Sequence, residues 1–139
     1  MKKILWTLLY VFVAVSCTDS PKVEQALANK VLIAYVTSWS SREVDPQYLT
    51  HINYAFGHVD STFAGVRVDN PKRLQGIVAL KKDYPHLKVL LSIGGWGSGN
   101  FSEMAADSAL RWSFALDCAE KVREFGLDGI DIDWEDPTT

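Results

Sequence analysis

The chain has 139 residues, of which 47% are hydrophobic, 12% aromatic and 22% charged, and its formal net charge is −3. This composition is typical of one folded domain and excludes a disordered chain. The negative charge argues against binding to a phosphate backbone, so no nucleic-acid partner is expected.

The N-terminus predicts an export signal. Two lysines precede an apolar run from Ile4 to Ser16 that is 13 residues long, whereas a membrane-spanning helix needs roughly 20. Cys17 follows in a context that resembles the lipobox of bacterial lipoproteins, in which the cysteine is lipidated. We expect a signal peptide over residues 1–16, a polar tether over 17–29 and a lipid anchor to a bacterial membrane at the cell envelope, with free secretion as the alternative.

Strand and helix patterns alternate along the rest of the chain. Apolar runs rich in β-branched and aromatic residues predict strands over 30–39, 48–59, 86–96 and 126–135. One helix is predicted from Pro71 to Tyr84 and a second from Ser108 to Phe125, with Gly126 as its C-cap. Strands that are apolar on both faces and separated by helices predict an α/β fold with a parallel sheet. Such a sheet is either doubly wound or part of a (β/α)8 barrel.

The last predicted strand carries acids within an apolar run. Side chains alternate along a strand, so Asp131, Asp133 and Glu135 share one face. The opposite face holds Ile130, Ile132 and Trp134. We expect the apolar face to pack against helices and the acids to line a cleft or lumen, with Glu135 at the carboxyl end, where α/β enzymes collect catalytic groups. Neighbouring acids in a partly dry site suit general acid catalysis.

Two rival chemistries fit these segments less well. A metal site is not predicted, because acids at alternate positions of a stiff strand diverge along it instead of converging on one ion. The third strand ends in the small residues Ser92, Gly94 and Gly95, which leave room on the face that the acids share. These glycines match neither phosphate-binding loop pattern, so no nucleotide or other cofactor is expected.

Together the two segments resemble the family 18 glycoside hydrolases, the chitinase family. The signature D-G-x-D-x-D-x-E is matched by Asp128, Gly129, Asp131, Asp133 and Glu135. The S-x-G-G motif is matched by Ser92, Gly94 and Gly95. The resemblance implies that residues 30–139 are a partial catalytic domain, the N-terminal half of a (β/α)8 TIM barrel with about four β/α units.

The resemblance also implies a reaction: hydrolysis of β-1,4-N-acetylglucosamine linkages in chitin or chitooligosaccharides, with retention of configuration and substrate assistance. Glu135 would protonate the glycosidic oxygen while the substrate's acetamido oxygen attacks the anomeric carbon. Asp133 would orient the acetamido group, and Asp131 would share a proton with Asp133. Asp128 and Gly129 would belong to the structural part of the motif.

Aromatic residues near the strand ends are candidates for stacking on sugar rings. We expect Trp39 and Trp96 to face the loops and bind substrate, together with the small residues of the S-x-G-G motif. Tyr35 and Phe56 are interpreted as core. The histidines are interpreted as surface or strand-edge residues: His51, His58 and His86.

The family pattern is only partly present, because the sequence stops four residues after Glu135. We expect a fragment that does not hydrolyse chitin by itself. Two alternatives stay open: an endo-β-N-acetylglucosaminidase acting on glycoproteins, and a non-catalytic, chitinase-like, glycan-binding lipoprotein of the envelope. Trp134 favours a chitinase over the first alternative, and the presence of Glu135 favours an enzyme over the second.

Overall fold

The structure, a computed structural model, describes residues 30–135. The predicted signal peptide and the tether with Cys17 lie outside this range. The strands are β1 (Ile33–Thr37), β2 (His51–Val59), β3 (Val66–Val68), β4 (Lys88–Gly94) and β5 (Gly129–Asp133). The helices are α1 (Pro71–Ala79), α2 (Phe101–Ala106) and α3 (Ser108–Phe125), and a 3-10 turn at Leu80–Lys82 continues α1.

The sheet has the strand order β1-β2-β4-β5, and neighbours along this path are parallel. Short β3 adds antiparallel to the end of β2. The parallel strands follow one another in chain order without the reversal that defines a doubly wound sheet. The prediction of a parallel α/β fold that forms the N-terminal part of a (β/α)8 barrel is confirmed.

Side-chain and glycine caps set the ends of the helices. The Asn70 side chain accepts a hydrogen bond from the Arg73 N–H and begins α1, directly before Pro71. Asp107 caps α3, and the N–H groups of Leu110 and Ala109 hold the pKa of its carboxyl below the usual range. Gly126, at φ 68°, ends α3 as predicted. None of the helices within residues 30–135 has the length and apolarity to cross a membrane.

The apolar core lies between the outer face of the sheet and the helices. From the strands it receives Val36, Ile52, Tyr54, Val89, Leu91 and Ile93. From the helices it receives Leu74, Ile77, Phe101, Met104, Phe114 and Cys118. The inner face instead carries polar groups on every parallel strand, which leaves that face to the functional site.

The predicted division of β5 into an apolar and an acidic face holds in part. Ile130 packs against the core, and the ring of Trp134 stacks on Phe101 with centroids 5.3 Å apart. The prediction that Ile132 packs against helices is wrong, because this side chain is 52% exposed. Among the described residues β5 is an edge strand, so its outer end has no neighbouring strand and helix to cover it.

Candidate active site

Asp131 is the most firmly held acid of β5. Its Oδ2 atom accepts hydrogen bonds from the Tyr35 hydroxyl and the Ser92 hydroxyl, each at 2.8 Å. These two donors come from β1 and β4, so residues on three strands meet at one carboxylate oxygen on the inner face. Ser92 lies directly beside Asp131 in the register of β4 and β5, as the shared face predicts.

Tyr35 is oriented by the same cluster. The hydrogen bond with Asn53, taken alone, would lower the pKa of the Tyr35 phenol. The hydrogen bond to Asp131, burial and the charges of Asp131 and Asp133 together outweigh it, so the pKa is raised above its usual value. The phenol therefore stays a neutral donor to Asp131 over the physiological pH range. Its interpretation as core is wrong: Tyr35 is 55% exposed on the inner face.

Asp133 is positioned through its backbone. Its carbonyl accepts hydrogen bonds from the Gly95 N–H at 2.9 Å and from the Glu135 N–H at 3.1 Å. A Cβ atom on Gly94 would lie 2.0 Å from this carbonyl oxygen, and Gly94 has φ +128°, so only glycine fits there. Close approach of β4 to the end of β5 thus sets the chain direction just before Glu135, which is exposed at the carboxyl edge.

The S-x-G-G residues lie beneath the cleft surface. Ser92 is 0% exposed, and Gly94 and Gly95 are buried as well. In this structure they contact the acids of β5 and the ring of Phe56. That these three residues bind substrate stays a prediction, and the contacts they make in the structure are with the protein itself.

Asp128 lies at the opposite, amino end of the sheet. Its carboxylate accepts hydrogen bonds from Lys81 at 2.7 Å and from the Val89 N–H at 2.9 Å, and Lys88 lies 3.4 Å away. Burial alone would raise the pKa of Asp128, but these donors and cations outweigh it and hold the pKa below the usual range. Gly129 follows on the inner face, where a Cβ would meet Leu90 at an ordinary 3.5 Å.

Trp39 and Trp96 lie beyond β1 and β4, at the carboxyl edge of the sheet. They are 71% and 80% exposed, as expected for loop-facing rings. Trp39 lies beside Phe56, with ring centroids 6.3 Å apart. Both indoles are therefore available at the edge where the acids of β5 end.

His58, interpreted as a surface or strand-edge residue, is half-buried near the end of β2. It makes hydrogen bonds on both ring nitrogens, to Ser98 and to Asp69. Asn53, nearer the amino end of β2, is 5% exposed, and its Oδ1 atom has no hydrogen-bond partner. Among residues 30–135 no three His, Cys, Asp or Glu side chains are grouped to hold a metal ion.

Comparison with known proteins agrees with this arrangement. The sequence profile of glycosyl hydrolases family 18 matches residues 31–139. Probable chitinase 2 of Drosophila melanogaster is 34% identical over 134 residues, which cover 81% of this chain and 28% of that protein. The chitinase domain of the spore coat protein CotE from Clostridium difficile superposes with a TM-score of 0.72 at 33% identity, over 91% of this chain and 34% of that chain.

A further similar structure is human YKL-39, called a pseudo-chitinase with retained chitooligosaccharide binding properties. It superposes with a TM-score of 0.64 at 31% identity, over 73% of this chain and 32% of that chain. The chain thus spans about a third or less of each of these proteins. Because the family profile matches most of its length, the chain belongs to glycosyl hydrolases family 18.

Proposed function

We propose that this chain supplies the acid-bearing part of a site that hydrolyses β-1,4-N-acetylglucosamine linkages in chitin or chitooligosaccharides. The observation that carries the proposal is the arrangement of β5, in which Asp131 is held by Tyr35 and Ser92 on the inner face. Glu135 follows at the exposed carboxyl edge. The similarity to proteins named chitinases supports this substrate class.

In the proposed reaction Glu135 is the general acid. It donates its proton to the glycosidic oxygen as the bond to the anomeric carbon breaks, and the substrate's acetamido oxygen attacks that carbon from the opposite face. Asp133 orients the acetamido group and stabilises the resulting oxazolinium ion. Glu135 then takes a proton from the water that attacks the anomeric carbon and opens the oxazolinium ring. The two displacements together retain the configuration at the anomeric carbon.

Asp131 supports Asp133 in this scheme by sharing a proton with it. Two hydroxyl donors on one oxygen of Asp131 fix the orientation of its carboxyl group, which leaves the other oxygen for this exchange. Trp39 and Trp96 stack on sugar rings from the edge of the cleft. Ser92, Gly94 and Gly95 act by positioning the acids, a role that their burial favours over direct contact with sugar.

We also propose that the chain by itself does not turn over substrate. Within residues 30–135 both β1 and β5 pair on one side only, and inner-face residues such as Ile33 and Tyr35 are 50% and 55% exposed. A barrel site needs the walls that close around the lumen, and an open sheet leaves unpaired edges and an unfinished cleft.

The deciding experiment uses a longer polypeptide in which this chain forms part of a closed barrel. Turnover of a chromogenic chitooligosaccharide is compared between this protein and its Glu135→Gln variant. Glutamine keeps the size of the side chain but cannot donate the proton, so we expect turnover to fall by at least about 100-fold, as general acid catalysis contributes. Binding should persist. Undiminished turnover in the variant would remove Glu135 from the mechanism.

Two further candidate functions are separated by the same pair of proteins. Release of glycans from a glycoprotein, without action on chitooligosaccharides, would indicate an endo-β-N-acetylglucosaminidase. Binding without turnover in the unchanged protein would indicate a glycan-binding protein, and the likeness to the pseudo-chitinase YKL-39 motivates this test. The side chain of Glu135, present in this chain, favours the enzyme.

For location we propose export and lipidation at Cys17. The motivating feature is the apolar run before Cys17, followed by a polar segment. Radiolabelled palmitate should enter the protein in a bacterial host, and Cys17→Ser should abolish the label. Label retained in this variant would refute lipidation at Cys17.

A further inference from the structure

The loop that carries Trp96, here called the Trp96 loop (residues 95–100), is fastened to the sheet at both ends. At its start the Gly95 N–H donates to the Asp133 carbonyl at 2.9 Å. At its end the Asn100 side-chain amide donates to the carbonyls of Val59 and Asp60, each at 3.1 Å. Trp96 projects between these anchors with 80% of its surface exposed. These anchors hold only the two ends of the loop, so its middle must be held by other contacts.

A third anchor holds the middle of the loop. The Ser98 hydroxyl lies 2.9 Å from Nδ1 of His58, and the Ser98 N–H donates to the Gly95 carbonyl at 3.0 Å, closing a turn around Trp96. The His58 side chain is 24% exposed. The partly buried His58 ring at the end of β2 thus holds the hydroxyl of Ser98, which lies two residues after Trp96 in the sequence.

Asp69 determines which way the hydrogen bonds of His58 run. Nε2 of His58 lies 3.0 Å from Oδ2 of Asp69, and Arg67 pairs with the other oxygen of the same carboxylate. An ionised carboxylate can only accept, so Nε2 carries the proton and donates it. In the neutral ring Nδ1 is then the acceptor, and the Ser98 hydroxyl donates to it. Arg67, Asp69, His58 and Ser98 therefore form one chain of hydrogen bonds that ends at the Trp96 loop.

The space beside this chain is open. A groove of about 490 Å³ lies between the end of β2 and the Trp96 loop, lined in part by His58, Arg67, Trp96 and Ser98. Side chains packed on that side do not fill the groove, so the loop has room to move into it. The hydrogen bond between Ser98 and His58 ties the middle of the loop to β2 beside this groove.

We propose that His58 is a positioning residue for substrate binding: through Ser98 it holds the Trp96 indole at the edge of the cleft, and Asp69 fixes the tautomer that this requires. This inference rests on the proposed function, because it needs Trp96 to contact sugar. It adds a residue that touches neither the substrate nor the acids of β5.

The first test needs no ligand. The full chain is labelled with 5-fluorotryptophan, and the fluorine resonance of Trp96 is assigned by its loss in Trp96→Phe. We expect His58→Leu to shift and broaden this resonance while the other tryptophan resonances stay in place. His86→Leu is the matched control, since His86 is exposed before the amino end of β4. An unchanged Trp96 resonance in His58→Leu would overturn the proposal.

Conservative variants separate the two hydrogen bonds. The Asn side chain places an acceptor near the position of Nδ1, so His58→Asn should keep the bond to Ser98 and restore most of the Trp96 signal. Ser98→Ala should reproduce the change seen in His58→Leu. If His58→Asn alters the Trp96 resonance as His58→Leu does, and Ser98→Ala leaves it unchanged, the coupling does not pass through Ser98 and the proposal fails.

The second test measures binding of a chitooligosaccharide to the same variants, each made in a closed barrel that contains this chain. Loss of one neutral hydrogen bond should weaken binding in His58→Leu by roughly three- to tenfold. In the Trp96→Ala background the same substitution should have no further effect, because interaction through a shared partner is non-additive. An equal effect in both backgrounds would overturn the proposal.

The two tests also separate failure of this inference from failure of the proposed function. If no protein in the series binds the oligosaccharide, while His58→Leu still alters the Trp96 resonance, sugar binding is refuted and the link between His58 and the loop stands. If the parent binds and Trp96→Ala does not weaken it, the proposed role of Trp96, and with it that of His58, is refuted.

Discussion

The Tyr35 hydroxyl of β1 donates a hydrogen bond to Asp131 of β5 at 2.8 Å, although 96 residues separate them in the chain. Two strands, β2 and β4, lie between β1 and β5 in the sheet. In a flat sheet the outer strands would be three spacings apart, about 14 Å. Side chains that stand perpendicular to a flat sheet could not meet over that distance, so the sheet curls toward its inner face. Through this hydrogen bond, Tyr35 on β1 helps to orient the carboxylate of Asp131 on β5.

Removal of the phenol tests this contact. Tyr35→Phe keeps the ring and deletes one of the two donors to Asp131, so we expect a loss of unfolding free energy of at most about 1 kcal/mol, since Tyr35 is partly exposed. Activity of a closed barrel carrying the change should fall by more than this stability loss explains. Chemical denaturation and turnover of the same preparations measure the two effects. Equal turnover would show that Ser92 alone is sufficient to position Asp131.

The pH dependence of Tyr35 has a defined sign. Its pKa is raised in the folded chain, so the folded state binds the phenol proton more tightly than the unfolded state does. The resulting stabilisation is present below about pH 10, the ordinary pKa of tyrosine, and is lost as the pH rises through the folded value. The stability difference between the parent and Tyr35→Phe should therefore shrink on titration from pH 8 to pH 11. A difference that grows over this interval would contradict the assignment.

Much of the parallel sheet could be predicted because its strands are continuous apolar runs. Their ends could not, since Val31 and Leu32 extend the apolar run beyond the ladder of β1 and are 66% and 51% exposed. Apolar character measures burial, whereas the end of a strand depends on where its partner ends. Neither β3 nor α2 was predicted, because elements of 3 and 6 residues are too short to show a period.

The site shows the same division between local and long-range information. Alternation along β5 places Asp131 on the inner face, and the pairing of Ser92 with Asp131 follows from the same pattern. The contacts of Tyr35 and His58 could not be predicted, because each depends on sheet curvature or loop path. A usable signal for Tyr35 was its position next to Val36, which alternation places on the opposite, buried face.

Gly94 should tolerate no side chain. A Cβ there would lie 2.0 Å from the Asp133 carbonyl oxygen at φ +128°, so Gly94→Ala must separate β4 from the end of β5. We expect a loss of at least about 3 kcal/mol in unfolding free energy, or failure to fold. Gly99→Ala is the control, since nothing lies within 4 Å of its Cβ position. Denaturation curves that coincide for the two variants would contradict the close approach.

Asp128 should support the fold through its ion pairs at the amino end of the sheet. Its pKa is lowered in the folded chain, so its stabilisation is present above about pH 4, the ordinary pKa of aspartate, and is lost as the pH falls through the folded value. Asp128→Asn should cost about 1 kcal/mol at pH 7, a modest figure because Lys88 is half exposed.

Acid titration checks this assignment. Denaturation midpoints of the parent and Asp128→Asn should converge as the pH falls from 6 toward 2. Asp83→Asn, which changes an exposed acid after the 3-10 turn, is the matched control and should leave the midpoints unchanged. A gap between parent and Asp128→Asn that stays constant down to pH 2 would show that the charge of Asp128 contributes nothing.

Cys118 should be an unreactive thiol in the folded chain. It is buried in the core on α3, and burial, followed by the charge of Asp117, raises its pKa to about 11. At pH 8 only about one thiol in a thousand is then ionised, and the thiolate is the reactive form. In a Cys17→Ser background, labelling with a thiol reagent should be at least about 100-fold slower than in the urea-unfolded chain. Labelling at the unfolded rate in native buffer would show that α3 does not cover Cys118 against the sheet.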